Sequence, residues 1–139
     1  MTDADDLVLF EAASVLAKRE AARSRDGEGV AAAAMTESGQ TLLGVWVDAM
    51  VDSACLCAET GPICEAHRTK QRIVASICVR WAEPDGATVL AACGVCQERL
   101  AVFGTGVRIA VRDESPRGFR FRPLSDLRPS PWWDARATG

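Results

Sequence analysis

Two separated stretches carry most of the information in this sequence: Ala54-Cys55-Leu56-Cys57-Ala58-Glu59 and Ala92-Cys93-Gly94-Val95-Cys96. A thiol two residues before a carboxylate, combined with a distant Cys-x-x-Cys, can supply three thiolates and one acid to a single site. Three thiolates leave the fourth position of a tetrahedral zinc open for water, as catalytic zinc requires. The pattern predicts that Glu59 is a catalytic acid and base beside a Zn²⁺ held by Cys57, Cys93 and Cys96.

Both halves of this motif lie where we expect a strand or loop to give way to a helix. Near a helix N-terminus, free N–H groups and the helix dipole favour thiolate over thiol. Zinc lowers the pKa of a bound water and so supplies hydroxide near neutral pH. Zinc deaminases of bases and nucleosides combine such ligands with a Glu that is not a ligand. We therefore expect hydroxide to attack the amino-bearing carbon of a heterocycle while Glu59 relays protons to the ring and to the departing ammonia.

The other cysteines and the single histidine leave alternatives open. Cys55 could complete a closed four-thiolate site, which would make the zinc structural but would give Glu59 no role. We expect Cys64 and Cys78 to be buried thiols that pack as small apolar residues. We expect His67 to have a surface or packing role.

Composition limits the class of protein. Of the 139 residues, 48% are hydrophobic and 25% are charged, so we expect one globular domain spanning residues 1–139. The net charge of −3 and the pI near 5.2 argue against a nucleic-acid partner. The acidic N-terminus does not resemble a signal peptide and no apolar run has the length of a membrane helix, so we expect a cytoplasmic protein without a membrane partner. In that compartment six cysteines indicate metal binding and buried thiols rather than disulfides.

The pattern of apolar residues predicts helices interleaved with strands. A helix is expected from Asp6 to about Arg23, and its buried face should carry Leu7, Phe10, Ala13, Ser14 and Ala17. Gly61-Pro62 should delay or bend the helix after the first motif, because proline costs about 3 kcal/mol in a helix interior. The other predicted elements are a hairpin of strands 30–35 and 41–47, a helix at 58–69, a strand at 72–81, a short extended piece at 88–90, a helix at 94–103, strands at 107–111 and 119–122, and a helical turn at 124–127. This order predicts a mixed sheet covered on both faces.

Four segments together carry a family resemblance: Leu43-Gly44-Val45-x-Val47, Cys57-Ala58-Glu59, Cys93-Gly94-Val95-Cys96 and Asp126-Leu127-x-Pro129-Ser130-x-Trp132. With these segments the chain resembles the cytidine deaminase superfamily, specifically its small homotetrameric branch and the blasticidin S deaminases within that branch. The resemblance implies a three-layer α/β/α sandwich around a five-stranded mixed sheet. It also implies one zinc per subunit, active sites at subunit boundaries, and a homotetramer or a dimer.

The resemblance further implies which residues contact the substrate. Trp132 matches an aromatic residue of the closing segment that packs over the substrate ring, although plain subunit packing is the alternative for it and for Trp133. Ala58 lies inside the motif and is expected at the substrate. Trp46 and Asp48 occupy the positions of an Asn-x-Glu pair that holds ribose hydroxyls in cytidine deaminases.

The departures from the family pattern affect the expected substrate rather than the reaction. An indole at Trp46 replaces an amide, Ala92 replaces the usual proline, Gln97-Glu98 replaces Arg-Gln, and Thr60 replaces an arginine. We therefore expect the same deamination on another amino-heterocycle, most simply a modified cytosine nucleoside or a nucleoside antibiotic of the blasticidin kind. The alternatives are an ordinary cytidine or deoxycytidine deaminase and a non-catalytic zinc-bearing binding domain.

Overall fold

The computed structural model describes residues 2–133, and its first element is helix α1, Asp3–Arg23. Thr2 caps this helix, because its hydroxyl accepts from the Asp5 N–H while the Asp5 carboxylate accepts from the Thr2 N–H. The cap explains why α1 begins earlier than the apolar pattern predicted.

The predicted buried face of α1 was partly wrong. Ala13 and Ala17 are buried as expected, but Leu7 is 50% exposed, and the buried face is formed by Asp6, Leu9, Ala13, Ala17 and Ala21. Asp6 can lie inside because the guanidinium groups of Arg108 and Arg117 donate to its carboxylate at 3.2 and 3.3 Å. A buried carboxylate needs such charged partners.

Six strands form one sheet. They are β1 (Gly29–Thr36), β2 (Thr41–Val45), β3 (Ile73–Ala82), β4 (Gly86–Leu90), β5 (Arg108–Arg112) and β6 (Phe119–Pro123). The continuous order is β2-β1-β3-β5-β6, and β4 pairs with β3 beside this path. The β3–β5 pair is parallel, whereas the other pairs are antiparallel. The predicted mixed sheet is confirmed, with β4 as a strand in addition to the expected five.

Strand β3 shares one of its edges between two neighbours. Ala75 and Ser76 pair with β5, whereas Cys78 to Ala82 pair with β4. Strands β4 and β5 therefore part beside the middle of β3. Open α/β sheets commonly place their ligand site where neighbouring strands diverge.

Helices cover both faces of the sheet, which confirms the three-layer architecture. Helix α1 packs on one face, against Ala31 and Ala33 of β1 and Ile77 of β3. Helices α2 (Thr60–Arg68) and α3 (Gly94–Leu100) pack on the other face, where Ala34 of β1 joins their buried residues. Alternate residues of β1 face opposite layers because side chains alternate along a strand. Its many alanines give both layers close access to the sheet.

The remaining differences from the predicted elements are short. Strand β2 ends at Val45 rather than Val47, and Val47 forms only an isolated bridge with Leu56. Helix α3 ends at Leu100, after which Ala101–Phe103 forms a 3₁₀ turn. The predicted helical turn at 124–127 is present as α4 (Leu124–Leu127). Within residues 2–133, no helix combines the length and the apolar character needed to cross a membrane.

Candidate active site

The three predicted thiols meet at one point. Cys57 lies in the loop before α2, Cys93 caps α3, and Cys96 lies in the first turn of α3. Their sulfur atoms all lie within 4.8 Å of one another, and the Cys57 and Cys93 sulfurs are 3.5 Å apart. In residues 2–133 this is the only cluster of three or more residues able to bind a metal in this way.

The donor set fits zinc. Thiolates on a tetrahedral zinc, with Zn–S bonds of about 2.3 Å, lie about 3.8 Å apart, which agrees with the spacing of these sulfurs. Three thiolates occupy three of the four coordination positions of a tetrahedral zinc and leave one open, as in a catalytic rather than a structural zinc site. The cofactor is Zn²⁺, held by Cys57, Cys93 and Cys96.

Close backbone packing fixes the loop that carries Cys57. Val47 and Leu56 exchange two backbone hydrogen bonds of 3.0 Å, which attach the loop to the chain leaving β2. Gly44 of β2 lies directly against the next residues: a Cβ there would collide with the Ala58 carbonyl oxygen and lie 2.5 Å from Cδ of Pro62. Glycine is therefore needed at position 44 for β2 to approach the motif. Helix α2 begins at Thr60, later than the predicted start at residue 58, and Gly61-Pro62 lie in its first turn, where proline is tolerated.

The thiols differ in acidity before a metal binds. Burial raises the pKa of the Cys57 thiol and of the Cys96 thiol. Burial acts in the same direction on Cys93, but the Cys96 N–H and neighbouring thiols donate to its sulfur, and the pKa of Cys93 falls below the ordinary value. The expectation that helix N-termini favour thiolate therefore holds for Cys93 and not for Cys57 or Cys96. Zinc binding must displace protons from the latter two thiols.

Glu59 lies beside the thiol cluster as predicted. Glu59 is only 4% exposed, and the Cys96 thiol donates to Oε2 of its carboxylate at 3.7 Å. Burial raises the pKa of the Glu59 carboxyl above the usual range. A raised pKa suits a group that both accepts and donates protons near neutral pH.

Glu59 and two of the clustered cysteines, Cys57 and Cys93, line a cavity of about 190 Å³. Its lining is mostly apolar and consists of Val30, Trp46, Cys57, Ala58, Glu59, Cys78, Leu90, Ala91 and Cys93. Two of the expected substrate contacts, Trp46 and Ala58, are in this wall. A mostly apolar cavity with a few polar groups at one end is the usual form of a small-molecule site.

Sequence reasoning missed several residues of the wall. Val30 lies near the start of β1, while Cys78 and Leu90 face each other as a registered pair between β3 and β4. The alternation of β3 gave a usable signal, since Cys78 shares a face with Ser76 opposite the face that packs on α1. Leu90 and Ala91 also lead directly into Cys93, so their proximity to the metal ligands could have been expected.

Asp48 is not in the wall of the cavity that Glu59 lines. It lines a second cavity of about 300 Å³, which shares Val30 and Trp46 with the first. The Trp46 indole N–H donates to Oδ1 of Asp48 at 2.7 Å. The backbone N–H of Trp46 donates to the Val30 carbonyl at 3.0 Å, which anchors the main chain from which the indole extends.

Trp132 does not line either cavity within the described chain. It is 81% exposed, and its indole N–H donates to Glu98 of α3 at 2.9 Å. Trp133 and Arg128 donate to the same carboxylate at 3.1 and 2.7 Å. Glu98, which replaces the glutamine of the family pattern, therefore holds the closing segment against the helix that carries Cys93 and Cys96.

The remaining Cys and His predictions are partly corrected. Cys55 is outside the thiol cluster and accepts a hydrogen bond from the Ala49 N–H at 3.4 Å, so the described chain does not form the closed four-thiolate site. Cys78 is buried as expected, but Cys64 is exposed, because it lies on the outer side of α2. His67 is exposed on the same helix, as its expected surface role requires.

Comparison with solved structures finds the same architecture. The cytidine deaminase from Bacillus anthracis is 32% identical, with 91% of this chain and 88% of that chain covered and a TM-score of 0.78. A mutant cytidine deaminase from Mycobacterium tuberculosis is 31% identical, with 94% and 96% covered and a TM-score of 0.72. The cytidine deaminase from Burkholderia pseudomallei, at 23% identity and a TM-score of 0.67, supports the fold alone. No family model and no curated protein sequence matches the chain.

The fold, the thiol triad and the buried carboxylate together define a zinc-dependent hydrolase that cleaves C–N bonds of cyclic amidines. With its similarity extending over most of both chains, the protein belongs to the cytidine deaminase superfamily.

Proposed function

We propose that the protein deaminates a cytosine-type ring that carries a substituent other than unmodified ribose, as in a modified cytosine nucleoside or a nucleoside antibiotic of the blasticidin kind. The observation that carries this proposal is the junction of the thiol cluster and Glu59 with a small, mostly apolar cavity walled by Trp46. The reaction would replace a ring amino group with oxygen from water and release ammonia.

Each group at the thiol end of the cavity has a distinct task in this reaction. Cys57, Cys93 and Cys96 would hold the zinc, which when bound would supply a strong nucleophile at neutral pH by lowering the pKa of water. Glu59 would accept a proton at its carboxylate and deliver protons to the ring nitrogen and the leaving amine. Its burial keeps bulk water away from these proton transfers.

The walls of the cavity suit a flat ring. Val30, Ala58 and Leu90 present apolar atoms to it, and such surfaces hold an aromatic ring by contact while a few polar groups fix its orientation. Among the described residues of the lining, Glu59 is the only one with a carboxylate. Polar contacts with the substrate ring therefore come from the end of the cavity where Glu59 lies. We expect the amino-bearing carbon of the ring to lie at that end, beside the thiols.

The Trp46–Asp48 pair argues against ribose as the recognised substituent. The two side chains hydrogen-bond to each other, and Asp48 lies in the second cavity rather than the first. Sites that select a sugar by its hydroxyls present unpaired polar groups to them. Here the corresponding wall contains Trp46, whose indole N–H is already bonded to Asp48.

Ordinary cytidine or deoxycytidine is a second candidate substrate. The identity of 32% with the cytidine deaminase from Bacillus anthracis, over most of both chains, favours it. This candidate requires the sugar to pack against Trp46 without the hydroxyl contacts that the resemblance implies for that position.

A substrate screen separates these candidates. Zinc-loaded protein is incubated with cytosine, cytidine, deoxycytidine and blasticidin S, and ammonia release is measured. We expect the highest kcat/KM for a substituted cytosine other than cytidine and deoxycytidine. A highest kcat/KM for cytidine or deoxycytidine would favour the second candidate, and zinc-loaded protein that releases no ammonia from any of them would contradict both.

We also propose that the protein is a cytoplasmic homotetramer or dimer in which Trp132 contacts a neighbouring subunit's substrate. The exposed ring of Trp132, held in place by Glu98, supports this proposal, and the six thiols of the described chain are all unpaired, as suits a reducing compartment. Light scattering that gives the mass of a monomer would contradict the assembly.

A further inference from the structure

Trp46 forms a shared wall, here called the partition, between two cavities. The first cavity, of about 190 Å³, contains the reacting groups, and the second, of about 300 Å³, lies beyond the indole. Only Val30 and Trp46 line both. The side chain of Trp46 therefore limits how far a substituent on the ring can extend in this direction.

One hydrogen bond holds the indole: its ring N–H donates to Asp48 at 2.7 Å. The backbone of Trp46 is anchored separately, because its N–H donates to the Val30 carbonyl at 3.0 Å. A hydrogen bond to a charged acceptor is among the stronger ones, and it fixes the orientation of the ring rather than only its position. Nevertheless, Trp46 is 42% exposed, so packing alone does not lock it.

We propose that Trp46 is the specificity-determining residue of this enzyme, that Asp48 is the positioning residue that holds it, and that the substrate's substituent is recognised by its size and its contact with the indole face rather than by hydroxyl hydrogen bonds. This inference rests on the proposed function, since it concerns the same pocket. It assigns a substrate class: cytosine-type rings for which loss of sugar hydroxyls has little effect.

The test compares substituents on one ring. Ammonia release is measured for free cytosine, cytidine, 2′,3′-dideoxycytidine and blasticidin S, whose substituent is larger, with wild type, Trp46→Ala and Trp46→Phe. Because 2′,3′-dideoxycytidine lacks both secondary hydroxyls, kcat/KM for it and for cytidine should differ by less than about threefold in wild type, whereas a site built to bind those hydroxyls would separate them by orders of magnitude.

Removing the partition should change the ranking by size. Trp46→Ala joins the two cavities, so kcat/KM for the largest substituent relative to free cytosine should rise by about tenfold or more. Trp46→Phe keeps a ring in the wall and should retain the wild-type ranking. Trp81→Phe is the matched control for loss of an indole, because Trp81 lies on β3 beside Lys18 of α1, away from both cavities.

Asp48 is tested by a signal that does not depend on substrate. In protein labelled with 5-fluorotryptophan, the resonance absent from Trp46→Phe identifies Trp46. Asp48→Ala should shift or broaden that resonance, and Asp48→Asn, which keeps an oxygen acceptor, should restore it. An unchanged resonance in Asp48→Ala would overturn the positioning role.

The outcomes are separable. If wild type deaminates none of the rings while fully loaded with zinc, the proposed function fails, and this inference fails with it. If wild type is active but Trp46→Ala, folded by thermal melting, lowers kcat/KM equally for all substituents, the proposed function stands and the specificity role is refuted. Strong discrimination between cytidine and 2′,3′-dideoxycytidine by wild type would refute it as well.

Discussion

Replacing Glu59 by glutamine tests the chemistry of the site most directly. The amide has the shape of the carboxyl group but cannot release and take up protons in the reaction. Glu59 is nearly fully buried, lies 3.7 Å from the Cys96 sulfur and is not one of the clustered ligands. We therefore expect Glu59→Gln to bind zinc as wild type does and to lose nearly all turnover.

The magnitude follows from what else lines the cavity. General acid–base catalysis contributes about 10²- to 10⁴-fold. The described residues around Glu59 are apolar side chains and cysteines, so no second carboxylate can take over its proton transfers. We expect kcat to fall by about 10³- to 10⁴-fold, which corresponds to about 4 to 5.5 kcal/mol in the activation free energy. Because the substitution is isosteric, the free energy of unfolding should change by less than about 1 kcal/mol.

The assay combines two measurements on the same preparation: zinc per chain by atomic absorption and ammonia release on the best substrate of the screen. Glu65→Gln is the matched control, since Glu65 is on the same helix α2 but forms an exposed ion pair with Arg68. It should leave both measurements unchanged. Glu59→Gln protein that is fully loaded and retains more than about a tenth of wild-type kcat would refute the reasoning.

Three further predictions concern metal binding, packing and thiol reactivity. Cys93→Ser should lose stoichiometric zinc, whereas Cys55→Ser should keep it, because only the former removes a clustered sulfur; equal zinc contents by atomic absorption would contradict this. Gly44→Ala should lower stability by about 1 to 3 kcal/mol through overlap with the start of α2, and a calorimetric unfolding curve equal to that of wild type would show that β2 can move aside. In zinc-loaded protein at about pH 8, iodoacetamide should label exposed Cys64 and spare Cys78, because burial raises the pKa of Cys78 and keeps its thiol neutral. Peptide mass spectrometry identifies the modified residue, and earlier labelling of Cys78 would be inconsistent with its burial.

The metal centre could be predicted from the sequence because its information is local. Each half of the motif is short enough to lie in one turn of the backbone. The first half holds Cys57 near Glu59, and the second holds Cys93 near Cys96. The pattern of apolar strands then requires only that the two turns lie on the same side of one sheet. Here both precede helices of the same layer, and their sulfurs meet.

The parts that could not be predicted depend on residues distant in sequence. Apolar spacing favoured Leu7 for the buried face of α1, but Asp6 is buried instead, through ion pairs with Arg108 and Arg117 near the other end of the chain. Strand β4 can pair with β3 because β5 pairs only with Ala75 and Ser76 and leaves the rest of that edge of β3 open. No local sequence pattern encodes the point at which the β3–β5 pairing ends. The exposure of Cys64 depends on which side of α2 packs inward, and the buried residues Ile63 and Ala66 decide it.

Glu98 also connects two regions of the molecule. It accepts hydrogen bonds from Arg128, Trp132 and Trp133, and it lies on the same short helix as Cys96. A displacement of that helix would therefore change the surroundings of two indoles. Because indole emission responds to such changes, we expect these tryptophans to report a shift of that helix on zinc binding without an added label.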